Sequence, residues 1–409
     1  MLVTVPPEPT AQRLVADTLP SVVLADEVAA VQVQLSDAAP AALQAALGSE
    51  VTVHADGWRP LQAVYRPGKR LTVLHTVPVE QAGARSTELL VTDSRGDELD
   101  ATVVGAGAAH LAVWRMAADP FLPGLAKMLD DDARAAFTDA LGLPRAERAR
   151  VRSYRPGRRA VVELAADRPI AYVKVVEPRR IQRLIDAFTA LESVDGVARC
   201  HGWAADDGLL VIEALHGTAL DAAIRQDQAL PSGEALREQL DALPLLDGPV
   251  VEHRRAVRDQ AKLLSALVPH RRTDIQRLER VFTEAEPSGE LETVHGDFHA
   301  GQVITAAGQI VGLVDVDRAG LGHRADDLAM FLAHLQVLAL DGDPEALAAT
   351  YLQHLYDDWA TTVPAQDLRT GIGRSLFSFA PGGFTAQSLD WQRIAERRLD
   401  AAANWLEVI

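Results

Sequence analysis

The chain carries 409 residues, 48% of them hydrophobic and 24% charged, and its 40 basic against 57 acidic side chains give a formal net charge of -17. That length exceeds the reach of one hydrophobic core, so two or three structural units are expected. The negative balance argues against nucleic acid as a partner, because phosphate backbones are held by concentrated basic surface.

The N-terminal segment MLVTVPPEPTAQRLV has no basic stretch followed by an apolar one. No run of about 18 apolar residues occurs later, so neither export nor membrane insertion is expected, and a cytoplasmic location is. The single cysteine, Cys200, excludes an intramolecular disulfide and a multi-cysteine zinc site, and is expected as a buried thiol. Apolar runs at Ser21 to Ala25, Val31 to Leu35, Leu89 to Thr92 and Leu111 to Trp114 predict strands, broken by turns at Asp56-Gly57 and Arg95-Gly96-Asp97. In this stretch only AAPAALQAALG reads as helix. A further helix is predicted from Leu125 to Leu141, ending at Gly142 and Pro144.

Two segments echo each other: AVYRPGKRLTVLHTV at 63–77 and RSYRPGRRAVVELAA at 152–166. Each has a Tyr-Arg-Pro-Gly turn, two basic residues and an apolar run, which predicts two related β-hairpins. From Arg152 to Glu213 the pattern reads strand, turn, strand, strand, helix, strand, strand, with a helix from Pro178 to Leu191 and a strand from Leu209 to Ala214. Beyond 217 it turns helical, over about 218–229, 252–285, 325–340, 344–360 and 385–406.

Within that helical part lie HGDFHAGQ at 295–302 and, after a short gap, IVGLVDVDRAGLGHRADDLA. Two apolar runs, Leu291 to Val294 and Ile310 to Val314, place Asp297, His299, Gln302, Asp315 and Asp317 at what are expected to be adjacent strand ends. Phosphoryl transfer asks a protein for a carboxylate at the attacking hydroxyl and oxygen ligands for the magnesium that bridges nucleotide phosphates. Asp315 and Asp317, two apart on an extended segment, share a face.

These residues resemble the aminoglycoside phosphotransferase-like kinases, whose catalytic segment reads roughly H-G-D-x-H-x-x-N and whose metal segment has an Asp after an apolar strand, followed by a D-L-A helix start. The resemblance covers roughly residues 150–409. It implies an α+β class and a bilobal protein-kinase-like fold, with a β-rich lobe over 146–217 and a helical lobe over 218–409. An additional N-terminal α+β cap-like domain over 1–145 resembles the arrangement of maltokinase-type sugar kinases. The implied cofactors are ATP and Mg2+. The implied partner is a small-molecule hydroxyl acceptor, such as a sugar, amino sugar or aminoglycoside, with neither nucleic acid nor membrane, and the chain acting as a monomer or homodimer.

By position, Asp297 is the implied catalytic carboxylate, and His295 and His299 hold its loop through backbone hydrogen bonds. Asp315 is the implied magnesium ligand, with Asp317 beside it, and Asp327 reads as a helix N-cap. Lys174 takes the place of the phosphate-binding lysine, with Asp186 or Glu192 as its acidic partner. The turn around Gly157 and Arg158 becomes the nucleotide loop, with Arg159 adding charge. Backbone groups near Glu213 and Leu215 become the adenine-binding hinge. Gln302 departs from the family's Asn: it offers the same amide oxygen on a longer stem to a metal that demands near-ideal octahedral geometry.

That departure keeps a second class open, a nucleotide-binding module without turnover. A third, a metal-dependent phosphoesterase suggested by GDFH, needs further Asp and His clusters that the sequence does not supply in order. Trp203, Trp359, Trp391 and Trp405 are either sugar-stacking or core residues.

Overall fold

The computed structural model describes residues 14–106, 109–246, 250–251, 254–342 and 345–407. The first 13 residues, on which the expectation of no export signal largely rests, lie outside the described residues. The class is α+β. A six-stranded antiparallel sheet is built from Val51–Val53, Arg59–Arg66, Arg70–Gln81, Ala84–Asp93, Thr102–Ala106 and Ala109–Arg115. A five-stranded antiparallel sheet follows from Arg148–Arg155, Arg159–Ala165, Pro169–Val176, Cys200–Ala204 and Leu209–Glu213. Helices then dominate, enclosing a three-stranded and a two-stranded sheet.

The two echoed segments are hairpins of the same register. Tyr65 pairs with Leu71 and Arg66 with Arg70 in the first; Tyr154 pairs with Ala160 and Arg155 with Arg159 in the second. The sheets share a core in which Leu74, Val91 and Trp114 of the first meet Val162, Val173 and Val211 of the second through Leu122, Leu125 and Met128. The opposite face of the first sheet is covered by the helix Ala39–Leu47 over Trp58, Val77 and Leu90. Its hairpin also reaches the C-terminal helices, where Tyr65 packs on Phe384 with centroids 6.3 Å apart, and the segment ahead of the sheet does so through Thr18 Oγ1, which accepts from Trp391 Nε1–H at 2.9 Å.

Strand alternation explains the placement of Lys174. Ala171, Val173 and Val175 enter the core between the sheets, so the neighbours of opposite parity, Tyr172, Lys174 and Val176, face the helical part.

Several predicted elements differ. Ser21 to Ala25 and Val31 to Leu35 are single helical turns, Ser21–Leu24 and Val31–Gln34, not strands. Apolar runs this short lack a period that separates the two, and local i-to-i+4 bonding wins where no sheet edge is at hand. The helix expected from Leu125 to Leu141 is two, Pro123–Leu129 and Asp131–Ala140, because Asp130 leaves helical backbone to accept a hydrogen bond from Ala133 N–H at 2.8 Å. Pro269 likewise divides the long helix into Arg254–Leu267 and Arg272–Glu284. The helices Gly233–Asp241 and Ala365–Phe379 have no counterpart among the predicted elements; the second is buried on nearly every side and so lacks an amphipathic stripe.

Candidate active site

The strand Glu292–Val294 ends at Gly296, whose φ of 75° and whose close approach to Arg318 O leave no room for a Cβ. The chain turns there, and alternation does the rest. Phe298 drives into the core, fully buried, with its ring centroid 5.0 Å from that of Phe331, while Asp297 and His299 on either side remain only partly buried. Truncating such a phenylalanine costs about 3–5 kcal/mol, which is the energy that pins the loop.

The expected strand adjacency is corrected. Glu292–Val294 pairs with Gly320–Gly322, and Gln309–Leu313 with Val303–Ala306, so the two motif strands lie in different small sheets. They are joined through Val314: His295 Nε2 bonds Val314 O at 3.0 Å, and Val314 N–H donates to Gln302 O at 2.9 Å. His299 Nδ1 accepts from Gly301 N–H at 3.1 Å, so His299 bonds the backbone of its own loop while His295 ties that loop to Val314. Asp327 is not the helix N-cap, a place held by His323. Its buried carboxylate accepts from His295 N–H at 2.6 Å and Gly296 N–H at 2.9 Å, which braces the loop instead.

The constellation closes on Lys174. Its buried ammonium lies 2.5 Å from Asp315 Oδ1 and also bonds Asp317, across 141 residues of sequence in the first case. Neither Asp186 nor Glu192 holds it: Asp186 is bonded by Gln182 on its own helix, and the Phe188 ring lies 5.3 Å from the lysine instead. Arg159 adds a guanidinium 3.8 Å from Asp315 Oδ2. Burial alone would raise the Asp315 carboxyl, but the charge and hydrogen bond of Lys174, with Arg159, hold it well below the usual range. Asp317 moves the other way, raised by burial against the pull of Lys174 and further by Asp315. Asp315 sits at φ 63°, ψ 38°, a left-handed conformation that non-glycine residues rarely adopt and that clusters at functional sites.

The amide nitrogen of Gln302 lies 3.0 Å from His299 Nε2 and 3.3 Å from Asp315 Oδ2. Asp297, by contrast, has no hydrogen-bond or ion-pair partner among the described residues, and its charge reaches Arg155 and His299. Hard oxygen donors at Asp315, Asp317 and Gln302 fit magnesium, which keeps several waters and relies on substrate phosphates rather than a full protein cage. Among the described residues no three His, Cys, Asp or Glu side chains group as a metal site.

The Gly157 turn is organised differently from a phosphate-cradling loop. Asp119 Oδ2 accepts from Gly157 N–H at 2.8 Å and from Tyr154 Oη–H at 2.7 Å, so this backbone donor is already taken. Among the described residues Arg158 makes no ion pair with Asp297, Asp315 or Asp317; Arg155 and Arg159 are the ones that feel Asp315. Glu213 N–H is bonded to Arg199 O at 2.8 Å, whereas the backbone of Leu215 has no hydrogen bond among the described residues. Trp359 and Trp391 are fully buried core residues, and Trp405 packs against Tyr356, which leaves Trp203 as the exposed member of the four. Cys200 is half-buried, and burial pushes its thiol up.

Asp119, Arg155 and His334 belong to the site without standing in either motif. His334 stacks on His299 at 4.1 Å from the facing helix and carries no sequence signal, while Asp119 has a usable one: Ala118-Asp119 precedes the second turn as Ala25-Asp26 precedes the first.

A β-rich lobe that lays one lysine on two carboxylates of a helical lobe defines a protein-kinase-like phosphotransferase. The chain belongs to the phosphotransferase enzyme family (APH), whose model matches residues 142–363. No curated protein matches the sequence significantly. Among solved structures the chain is similar to choline kinase LicA from Streptococcus pneumoniae, at 12% identity over 67% of this chain and 98% of that one, with a TM-score of 0.45. It is similar also to a choline kinase from Cryptosporidium parvum Iowa II, at 12% identity over 68% and 96%, TM-score 0.46. A third is the aminoglycoside phosphotransferase APH(3'')-Id from Streptomyces rimosus ATCC10970, at 17% identity over 61% and 99%, TM-score 0.41. No helix among the described residues is long and apolar enough to cross a membrane.

Proposed function

We propose that the chain is an ATP- and magnesium-dependent kinase that phosphorylates a hydroxyl of a small molecule of the sugar, amino-sugar or aminoglycoside class, in the cytoplasm. The observation that carries this reading is the convergence of Lys174, Asp315 and Asp317 beside the unpartnered carboxylate of Asp297. Asp297 orients the acceptor hydroxyl and takes its proton as the phosphoryl group moves. Lys174 is released from the two aspartates to hold donor phosphate oxygens. Asp315, Asp317 and the Gln302 amide are the groups that would hold the metal, whose role when bound is to neutralise charge developing on those phosphates. The free backbone of Leu215 supports adenine recognition at the end of the strand Leu209–Glu213. The carbohydrate acceptor rests on the maltokinase-like order of an extra N-terminal unit ahead of the kinase lobes, which is an analogy of arrangement.

A coupled ADP-release screen across sugars, amino sugars and aminoglycosides tests it, with Asp315→Asn as the companion variant. Acceptor-dependent ADP formation is expected in the native chain, and weaker magnesium-nucleotide binding in the variant. Tight ATP binding with no transfer to any acceptor would favour the module without turnover. That second reading is supported by Gln302, whose longer stem stands where the family has Asn.

A further inference from the structure

The two Tyr-Arg-Pro-Gly turns meet through Leu71, whose N–H donates to Ser94 Oγ at 2.9 Å, and through the next residue, Arg95, which stacks on the Phe121 ring beneath Gly157, and this crowds their arginines. Arg158 is pushed down by burial and by the repulsion of Arg155, Arg180, Arg66 and Arg159. Arg70 is pushed down by burial and by Arg95, Arg66 and Arg158, against the single attraction of Asp93. Arg155, lowered by burial and by Arg159, feels Asp297 and Asp315 at the other end of the row. The basic groups thus run from the first unit to the catalytic carboxylates.

Neighbouring charges show which of them are spoken for. Arg95 is bidentate to the fully buried Asp93 at 2.9 and 2.8 Å, and Arg180 pairs with Glu177 at 3.1 Å. Arg66, Arg70, Arg155 and Arg158 have no ion-pair or side-chain hydrogen-bond partner among the described residues. The Nε atoms of Arg70 and Arg159 are buried without a partner. In a chain with 57 acidic side chains, four unpaired guanidinium groups gathered in one place are the inverse of what solubility alone would produce. The geometry around them is fixed: Arg95 stacks 5.2 Å from the Phe121 ring centroid, and Phe121 lies under Gly157, where an added Cβ would come within 3.1 Å of it.

We propose that the two turns together form a site for a phosphate-bearing anion, with Arg66 and Arg70 of the N-terminal unit supplying one half and Arg155 and Arg158 of the β-rich lobe the other. Planar guanidinium forks match phosphate oxygens in a way that ammonium groups do not. The anion is a phosphorylated small molecule other than the nucleotide donor. The proposal stands apart from the kinase reading, since it rests on binding and not on turnover.

Titration calorimetry with inorganic tripolyphosphate on the full chain, without magnesium, provides the test. Binding is expected at low salt and should weaken as ionic strength rises. The double variant Arg66→Ala/Arg70→Ala should lose about tenfold or more in affinity, as expected from removing charge-assisted hydrogen bonds. Arg66→Lys/Arg70→Lys should keep the salt-sensitive binding while losing part of the affinity. Should the alanine pair fold poorly by thermal melting, Arg158→Gln on the other turn carries the same expectation. In a repeat of the titration with a non-hydrolysable ATP analogue and magnesium present, continued binding is expected, and blocked binding would assign these arginines to the donor's own polyphosphate and overturn the proposal. Unchanged tripolyphosphate affinity in folded Arg66→Ala/Arg70→Ala, or no binding to the native chain at low salt, overturns the proposal.

Discussion

The two Tyr-Arg-Pro-Gly turns are built alike and placed differently. In the first, Asp26 Oδ2 accepts from Tyr65 Oη–H and from Gly68 N–H, both at 2.8 Å; in the second, Asp119 Oδ2 accepts from Tyr154 Oη–H at 2.7 Å and Gly157 N–H at 2.8 Å. The aspartate lies 39 residues before its tyrosine in one case and 35 in the other, so the clamp belongs to a repeated unit and not to the hairpin alone. Only the second turn puts its basic residues against Asp297 and Asp315. A local motif therefore sets the shape of a turn, while the company it keeps in the fold sets whether it serves a reaction.

The largest test of that contrast is Asp297→Asn. Loss of a positioned proton acceptor should lower kcat by about 10²–10⁴-fold while ATP affinity by calorimetry stays near native. Retained turnover would show that Asp297 is not the group that takes the proton.

The clamps themselves offer a paired experiment. Asp26→Ala and Asp119→Ala should each destabilise the protein in urea melts by about 1–3 kcal/mol for each buried group orphaned, since a tyrosine hydroxyl and a glycine N–H lose their acceptor. Only Asp119→Ala should also raise KM for ATP several-fold. Equal KM values in the two variants would remove the functional half of the comparison.

The sheets differ in their response to acid. Ten residues after Tyr65 stands His75; ten after Tyr154 stands Leu164. His75 is fully buried, its Nδ1 accepts from Trp58 Nε1–H at 3.3 Å, and burial pushes its pKa from 6.5 down to about 3. Between those values the unfolded chain binds a proton that the folded chain refuses, so this contribution is complete above pH 6.5 and is lost as pH falls towards 3. Native protein should lose about 2 kcal/mol more than His75→Gln between pH 7 and 5 in denaturant melts, because each pH step of one below 6.5 removes about 1.4 kcal/mol. Parallel pH profiles would show that the histidine is indifferent.

The smallest effect concerns the turn glycines, at φ 66° in Gly68 and 63° in Gly157. Alanine at either should cost about 1 kcal/mol for the left-handed backbone. Gly68 opens on empty space, whereas a Cβ at Gly157 meets Phe121 at 3.1 Å, so Gly157→Ala should melt lower than Gly68→Ala. Equal melting temperatures would mean that Phe121 yields without cost.

Part of this grouping is legible in the sequence because the residues are close along the chain and their types are chemically restrictive: Asp297, His299, Gln302, Asp315 and Asp317 lie near one another in the fold. The backbone bonding of the histidines is legible too, since His295 Nε2 bonds Val314 O and His299 Nδ1 accepts from Gly301 N–H. What fails are pairings across distance. The sequence points to the next helix for the partner of Lys174, but burial of Phe188 there leaves the lysine no carboxylate except those of the metal segment. Asp327 reads as a cap of its own helix, yet it caps the loop that the helix packs against.

The sequence by itself determined the motif, the repeated turns, the alternation that aims Lys174 and the helical character of the second half. All of these follow from chemistry within a few residues. Only the tertiary structure decided that Asp26 and Asp119 clamp their turns, that the first unit shares a core with the β-rich lobe, and that arginines from two units stand together unpaired. Those outcomes depend on which surfaces are buried against each other, and burial is a property of the whole packed chain.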